Sequence, residues 1–249
     1  MSRAQRIRAE ATAAWHSFLR RRTAVFFTFF FPVLLVVIFG VLVRTQPTDG
    51  GLFAEPAGYY LPGYLATVVL FTPLSRVGSE IARHRDDSRF EKLATTPLGR
   101  AEWLFAHTLV NTAIIGLASL LILGLVVVLT GATIPLSPRL ALLGPFVVGA
   151  VVLFCGFGAI LGRLSSTQDG VIAASNGIAL PLLFLSETFV PPELLPAWFP
   201  TWLSPLTYFS RGVRAVSTGS GETLVPLAVL AVCAVIAFAV GATLLPRTD

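Results

Sequence analysis

Long apolar runs recur along this chain, and the charges that separate them are gathered instead of scattered. A stretch of about 18 residues nearly free of charge is what a membrane-spanning helix requires, because hydrocarbon offers no partner to an exposed backbone N–H or C=O. Six such runs can be read: about Ala24 to Val43, Tyr59 to Ile81, Leu104 to Leu129, Leu140 to Gly162, Val171 to Phe189 and Leu224 to Leu245. Only 12% of the residues are charged and mean hydropathy is +0.79, where a soluble domain carries about a quarter charged residues. The expected fold class is therefore all-α, one polytopic transmembrane domain over residues 1–249 with the helices as its folding units.

One charged island lies between the second and third runs. Arg83 to Glu102, RHRDDSRFEKLATTPLGRAE, holds the chain's only lysine, Lys92, among arginines and carboxylates. It must sit in water. Ahead of the first run, Ile7, Ala11, Trp15, Phe18 and Leu19 form one stripe on a helix whose other faces carry Arg3, Arg6, Arg8 and Arg20. Residues 1–22 are thus expected to form a basic amphipathic helix at the membrane interface. A cleavable signal fits poorly, because the following run is longer than a signal core and no small-x-small site follows it. With six spans and the N-terminus inside, fourteen of the eighteen Lys and Arg residues fall on one side, leaving Arg44, Arg139, Arg211 and Arg214 on the other. The positive-inside rule then makes both termini and the island cytosolic.

Several functions are excluded by what is missing. The net charge of +5 tracks the ends of apolar runs and forms no aromatic-studded basic surface, so nucleic acid is not an expected partner. Cys155 and Cys233 lie inside separate apolar runs, and His16, His84 and His107 show no metal-ligand spacing. There is no G-x-S-x-G elbow. No glycine loop precedes Lys92, so the P-loop route to ATP is closed to this chain. Polar residues inside the spans are few. Arg76 and Glu80 share one helical face and read either as an ion pair with snorkelling side chains or as a gate contact. Asn111 and Asn176 read as helix-packing hydrogen bonds.

Two stretches carry positive information. In the island, Phe90 and Leu93 stand among charges before the break at Thr95, Thr96 and Pro97, a pattern of either a docking ridge or a solvated hairpin. Pro191 to Ser217 is too broken to span and too apolar for an ordinary loop. Trp198 and Trp202, four residues apart, suit an interfacial belt. This segment, about 190–217, reads as two short half-helices re-entering the outer leaflet, either shaping a path and its gate or capping the bundle. Glu187 sits just before it, a carboxylate expected to contact substrate or to pair with Arg211 or Arg214.

At these two stretches the sequence resembles the membrane subunit of ABC transporters of the type-2 exporter class. The matching residues are the R-x-D-x-x-F-E-K-L-x-x-T-P-L-x-R-x-E run from Arg85 to Glu102, the F-L-S-x-T-F-x-P-x-E-x-L-P-x-W run from Phe184 to Trp198, and the P-L-T-Y-x-x-x-x-x-R tail from Pro205 to Arg214. The resemblance implies a permease that pairs as a homodimer or close heterodimer in the cytoplasmic membrane and binds two ATP-binding subunits. ATP and Mg would be bound by those partners, with no cofactor in this chain. Asp86 to Thr96 would be the coupling helix. Its implied contacts are Arg85, Asp86, Asp87, Arg89, Phe90, Glu91, Lys92, Leu93, Thr96 and Pro97, with Glu91 and Leu93 leading. The outer gate or substrate path would use Glu187, Pro191, Trp198, Tyr208, Arg211 and Arg214. Export of a lipophilic drug, lipid or lipid-linked glycan is the implied task. Ser88 stands where the family often has glycine, and Glu187 where it often has a small residue. The competing reading from the residues is a secondary transporter or channel with no ATPase, or a scaffold that transports nothing.

Overall fold

A computed structural model describes residues 2–43, 55–135, 137–190, 192–196, 198 and 200–245, so the expectations placed on Arg44, Pro191 and Arg247 lie outside the described residues. All regular structure among the described residues is helical. Helix α1 (Arg3–Arg20) begins with a capping box in which Ser2 and Gln5 each bond the other's backbone N–H. Helix α2 (Arg22–Leu35) contains Pro32, which cannot donate the bond its turn requires. Beyond it the helix widens over Val36–Leu42, where the Val43 N–H reaches back five residues to the Ile38 carbonyl at 2.9 Å. Helix α3 (Leu61–Asp86) carries Pro62 in its first turn, where the missing N–H is harmless.

A short helix, α4 (Arg89–Ala94), is followed by α5 (Arg100–Thr130), α6 (Leu143–Leu164), α7 (Gln168–Phe184), α8 (Pro205–Thr218) and α9 (Leu224–Leu244). Among the described residues, five helical stretches are long and apolar enough to cross a membrane: Arg22–Leu42, Ala57–Asp86, Arg100–Thr130, Pro138–Leu164 and Leu224–Leu244. The expected fifth span is the exception. Its helix α7 has 17 residues, about 26 Å at 1.5 Å per residue, a little short of the roughly 30 Å hydrocarbon core. The expected pair of half-helices before the last span is instead two three-residue 3₁₀ turns and one regular helix, α8.

Helix α3 is the axis of the bundle. In its apolar window 78% of residues are buried, against 17% in the stretch containing α2, which leaves most of its phenylalanines outward. It packs on α5, α6, α7 and α8, while α6 also packs along α9. The closest crossings are built on small residues, because apolar solvent gives helices no hydrophobic reason to associate and leaves close backbone packing to do so. Gly158 and Gly162, one turn apart on α6, face Gly78 on α3. A Cβ at Gly158 would stand 2.7 Å from the Leu74 carbonyl oxygen, and one at Gly162 would stand 2.8 Å from that of Gly78. Helix α9 repeats the device: a Cβ at Gly241 would lie 2.7 Å from the Gly156 carbonyl oxygen.

Part of the apolar stripe of α1 faces protein, while Leu19 stays exposed. Ala14 and Phe18 pack on Val110 and Ile114 of α5, with Ala11 and Trp15 at the margin.

Candidate functional site

The two sequence stretches singled out above lie at opposite ends of α3, whose 26 residues make it about 39 Å long. At its C-terminal end the island is not a free loop. Helix α3 continues through Arg85 and Asp86, so the expected coupling helix is interrupted: the chain turns at Asp87 and Ser88, and only Arg89–Ala94 forms α4. Ser88 makes the turn at φ 49°, ψ 34°, the left-handed region that glycine occupies without a steric penalty. The departure noted in the sequence thus falls on the one residue of the turn that needs a glycine-like backbone.

Phe90 corrects an expectation. It is not on an exposed ridge but 5% accessible, edge-on to His84 and Trp103 with ring centroids 5.5 and 5.8 Å away. Leu93 is half-buried against the same core. A short helix in water gains about 2 kcal/mol by turning an aromatic ring inward, which rolls its charged face outward. Asp86, Asp87, Arg89, Glu91, Lys92, Thr96 and Pro97 are accordingly exposed. The Arg89–Asp87 pair, 3.7 Å apart and half accessible on both sides, contributes little to holding that face in shape.

Arginines tie the island to the helix ends around it. Arg85 donates to the Gly162 and Ser165 carbonyls at 3.3 and 3.0 Å, at the C-terminus of α6. Arg100 donates to the Thr243 and Leu245 carbonyls, both at 2.7 Å, at the C-terminus of α9. Each places a cation on the negative end of a helix dipole and satisfies carbonyls that have no partner within their own helix. Glu102 bonds the Gly99 N–H at 3.1 Å, three residues before it, and receives a two-pronged contact from Arg6 at 3.0 and 2.7 Å, with Arg3 at 3.2 Å. Helix α1 is held again by Glu10, 3.1 Å from His107 Nε2. Glu102 was visible in the sequence as a motif residue, but its partner on α1, 96 positions away, was not.

The expected Arg76–Glu80 ion pair does not form. Glu80 is taken by Arg83 at 2.7 Å, His84 at 3.3 Å and Arg21 at 3.5 Å. Arg76 lays its guanidinium over the Phe18 ring, 4.5 Å from the centroid. The competitors are the next turn of the same helix and the junction of α1 with α2, which reach Glu80 more directly.

At the other end of α3, Glu187 is 2% accessible and accepts two bonds from Arg211 of α8, at 2.8 and 2.7 Å. Arg214 donates to its backbone carbonyl at 2.5 Å and covers the Tyr59 ring at 4.1 Å. The two arginines considered as partners are therefore both engaged, one with the carboxylate and one with the backbone. Burial pushes the Glu187 carboxyl up, but hydrogen bonds from Arg211 and Thr201 and the charges of Arg211 and Arg214 outweigh it and hold it below the ordinary range. Arg211 is correspondingly raised, chiefly by its bond to Glu187. Glu187 also has φ 58°, a second left-handed residue that is not glycine. A hydroxyl chain from Ser186 through Thr188 to Ser210 seals this turn onto α8, at 2.5 and 3.1 Å. Tyr208 donates to the Trp202 carbonyl at 3.0 Å, while Trp198 and Trp202 are 79% and 63% accessible.

A helical bundle with several lipid-length helices, one polar end strapped by arginines and an ion-paired cap at the other is a multi-pass membrane protein. The chain matches the ABC-2 type transporter family over residues 5–217 and belongs to it. It is similar to the daunorubicin resistance ABC transporter permease protein DrrB1 of Streptomyces coeruleorubidus, 28% identical over 204 residues that cover 76% of this chain and 68% of that protein. It is also similar to the probable multidrug ABC transporter permease YbhR of Escherichia coli K12, 24% identical over 155 residues, or 61% of this chain and 41% of that one. The chain is thus an ABC-2 transporter permease.

Proposed function

We propose that this permease is the membrane subunit of an ATP-driven exporter, working as a pair of copies with two separate ATP-binding subunits that hydrolyse the nucleotide. The island end faces the cytosol in this reading, in keeping with the concentration of Arg and Lys there. The carrying observation is the outward charged face of α4 joined to an inward anchor: Asp87, Glu91 and Lys92 are exposed, while Phe90, Arg85 and Arg100 fasten the same segment to α3, α5, α6 and α9. A movement imposed on α4 by a closing ATPase pair has four helices to act on. The exposed Trp198 and Trp202 and the Glu187–Arg211 pair support an outer gate at the far end. Both relatives are named as resistance or multidrug permeases, which favours a lipophilic, drug-like or lipid cargo moving outward.

The test is a pull-down of tagged protein from its own membranes in mild detergent, followed by mass analysis. The wild type is compared with Asp87→Arg/Glu91→Arg, two exposed positions whose reversal leaves the Phe90 and Leu93 packing intact. An ATP-binding subunit that accompanies the wild type and is lost from the variant supports the docking face. Absence of any ATPase from both samples sinks the reading in favour of ion-driven flux.

A further inference from the structure

A cleft of about 600 Å³ lies between α2 and α7, with α3 at its back and the end of α1 closing it on the island side. Cavities of roughly 300–1,000 Å³ hold one small organic molecule. The mouth is apolar and open: Phe27, Phe31 and Leu180 are 57%, 46% and 48% accessible. The inner end is polar, with Thr72, Ser75, Ser79 and Arg76 from α3 and Asn176 from α7. An occupant that suits both ends is an amphiphile, its chain at the mouth and its head beside Arg76.

The charge of that head follows from which groups are already satisfied. Glu80, the carboxylate that lines the cleft, is held by Arg83, His84 and Arg21. Arg76 forms no ion pair among the described residues, and its Nη1 is buried without a hydrogen-bond acceptor while the ring of Phe18 covers its carbon. A buried guanidinium N–H lacking an acceptor is strongly disfavoured, and an oxyanion supplies both the acceptor and the countercharge. A cationic head would instead meet Arg76 and Arg21 with the nearby carboxylate occupied. We infer that the cleft is a binding site for an amphiphile bearing one phosphate or carboxylate head, with Arg76 as the group that binds the head. Such an amphiphile is either a lipid of the surrounding bilayer or the exported cargo. Only the second of these rests on the exporter reading.

The full chain, in phosphatidylcholine nanodiscs, is titrated with dodecyl phosphate, dodecyltrimethylammonium and dodecyl maltoside, with binding read by native mass spectrometry. Dodecyl phosphate is expected to bind about tenfold tighter than either of the others, the scale of one charged hydrogen-bond pair. Arg76→Gln should bring it to the level of the maltoside, and Arg76→Lys should keep part of the preference. Leu180→Trp, at the accessible mouth, should weaken all three together and places the chain in the cleft whatever becomes of the Arg76 variants. Equal affinities in the wild type, or an undiminished preference in folded Arg76→Gln, overturn the inference. No ATPase is present in the titration, so the outcome is independent of the pull-down. Repeating it with phosphatidylglycerol in the nanodisc assigns the source: reduced affinity identifies the bilayer lipid as occupant, and unchanged affinity identifies the cargo.

Discussion

Ser88 and Glu187 hold the positive φ angles that no glycine supplies, at 49° and 58°, and the two differ in what keeps them there. Ser88 makes no side-chain capping bond to α4, so nothing on its side chain offsets a left-handed backbone that disfavours an L residue by roughly 1–2 kcal/mol. Ser88→Gly is expected to stabilise the protein by about 0.5–1 kcal/mol after the greater unfolded-state freedom of glycine is subtracted. A rise in melting temperature in detergent, read by intrinsic fluorescence, checks it, and a fall would mean the hydroxyl has a role in the turn. At Glu187 the strain is offset by the two bonds from Arg211 and the carbonyl bond from Arg214. Glu187→Gln leaves Arg211 facing a neutral amide and should destabilise by about 2 kcal/mol near pH 7. The sign of its pH dependence follows from the lowered carboxyl: the stabilisation is fully present above the unfolded-state value, near 4.3 for an ordinary glutamate, and is lost as pH falls through the still lower folded-state value. Melting curves of wild type and variant should therefore stay parallel from pH 8 to 5 and converge below about pH 4. Curves still separated at acid pH would show that the carboxyl acts through its hydrogen-bonding pattern and not its charge.

At the scale of elements, the crossing of α3 with α6 makes the sharpest prediction. Gly158→Leu and Gly162→Val push side chains into carbonyl oxygens of α3 that stand 2.7 and 2.8 Å from the first added carbon. Backbone cannot swing aside as a side chain can, so each should destabilise by about 3 kcal/mol or more. Gly116→Ala on α5, where a Cβ meets nothing within 4 Å, should instead be neutral or stabilising by up to about 1 kcal/mol; yields and melting temperatures of the three variants decide this. The helices themselves were legible in the sequence because burial in lipid demands long apolar runs, and the places of α2, α5, α6 and α9 follow from that alone. The extent of α3 was less so. Charge at Arg83 reads as the end of a span, yet the helix runs on to Asp86 because Arg85 finds the end of α6. The inward turn of Phe90 was hidden for a related reason: its pocket is made by His84 and Trp103, and no local pattern in six residues reveals a cavity built by two other helices. The Glu187–Arg211 pair was legible as a possibility because a carboxylate beside an apolar run needs a partner and few are available, whereas Arg76 lost its obvious partner to competitors that sequence spacing ranks no higher.

Across the whole molecule, the island can drive the bundle only if its connections are stiff, and Arg85 and Arg100 are the connections that reach across sequence to α6 and α9. Each donates to carbonyls at a helix C-terminus, three for Arg85 and two for Arg100, so removing the guanidinium leaves α4 in place on Phe90 while freeing the far helix ends from it. Docking and transmission therefore separate: the exposed face that would meet the ATPase contains neither arginine's bonded end. Arg85→Gln is expected to retain the ATP-binding subunit in a pull-down at the wild-type level, yet to lower ATP-dependent transport in reconstituted vesicles about tenfold, the scale set by losing a charged hydrogen-bond pair. Arg100→Gln should behave in the same way through α9. Lysine at either position keeps the charge but replaces the planar guanidinium, whose Nη1 lies between the carbonyls, with a compact ammonium on a flexible stem, so it should restore only part of the flux. Loss of the ATPase along with flux would place these arginines in the docking face itself. Unchanged flux with the ATPase retained would show that force enters the bundle through α3 and α5 alone, with α6 and α9 following by packing at their glycine crossings.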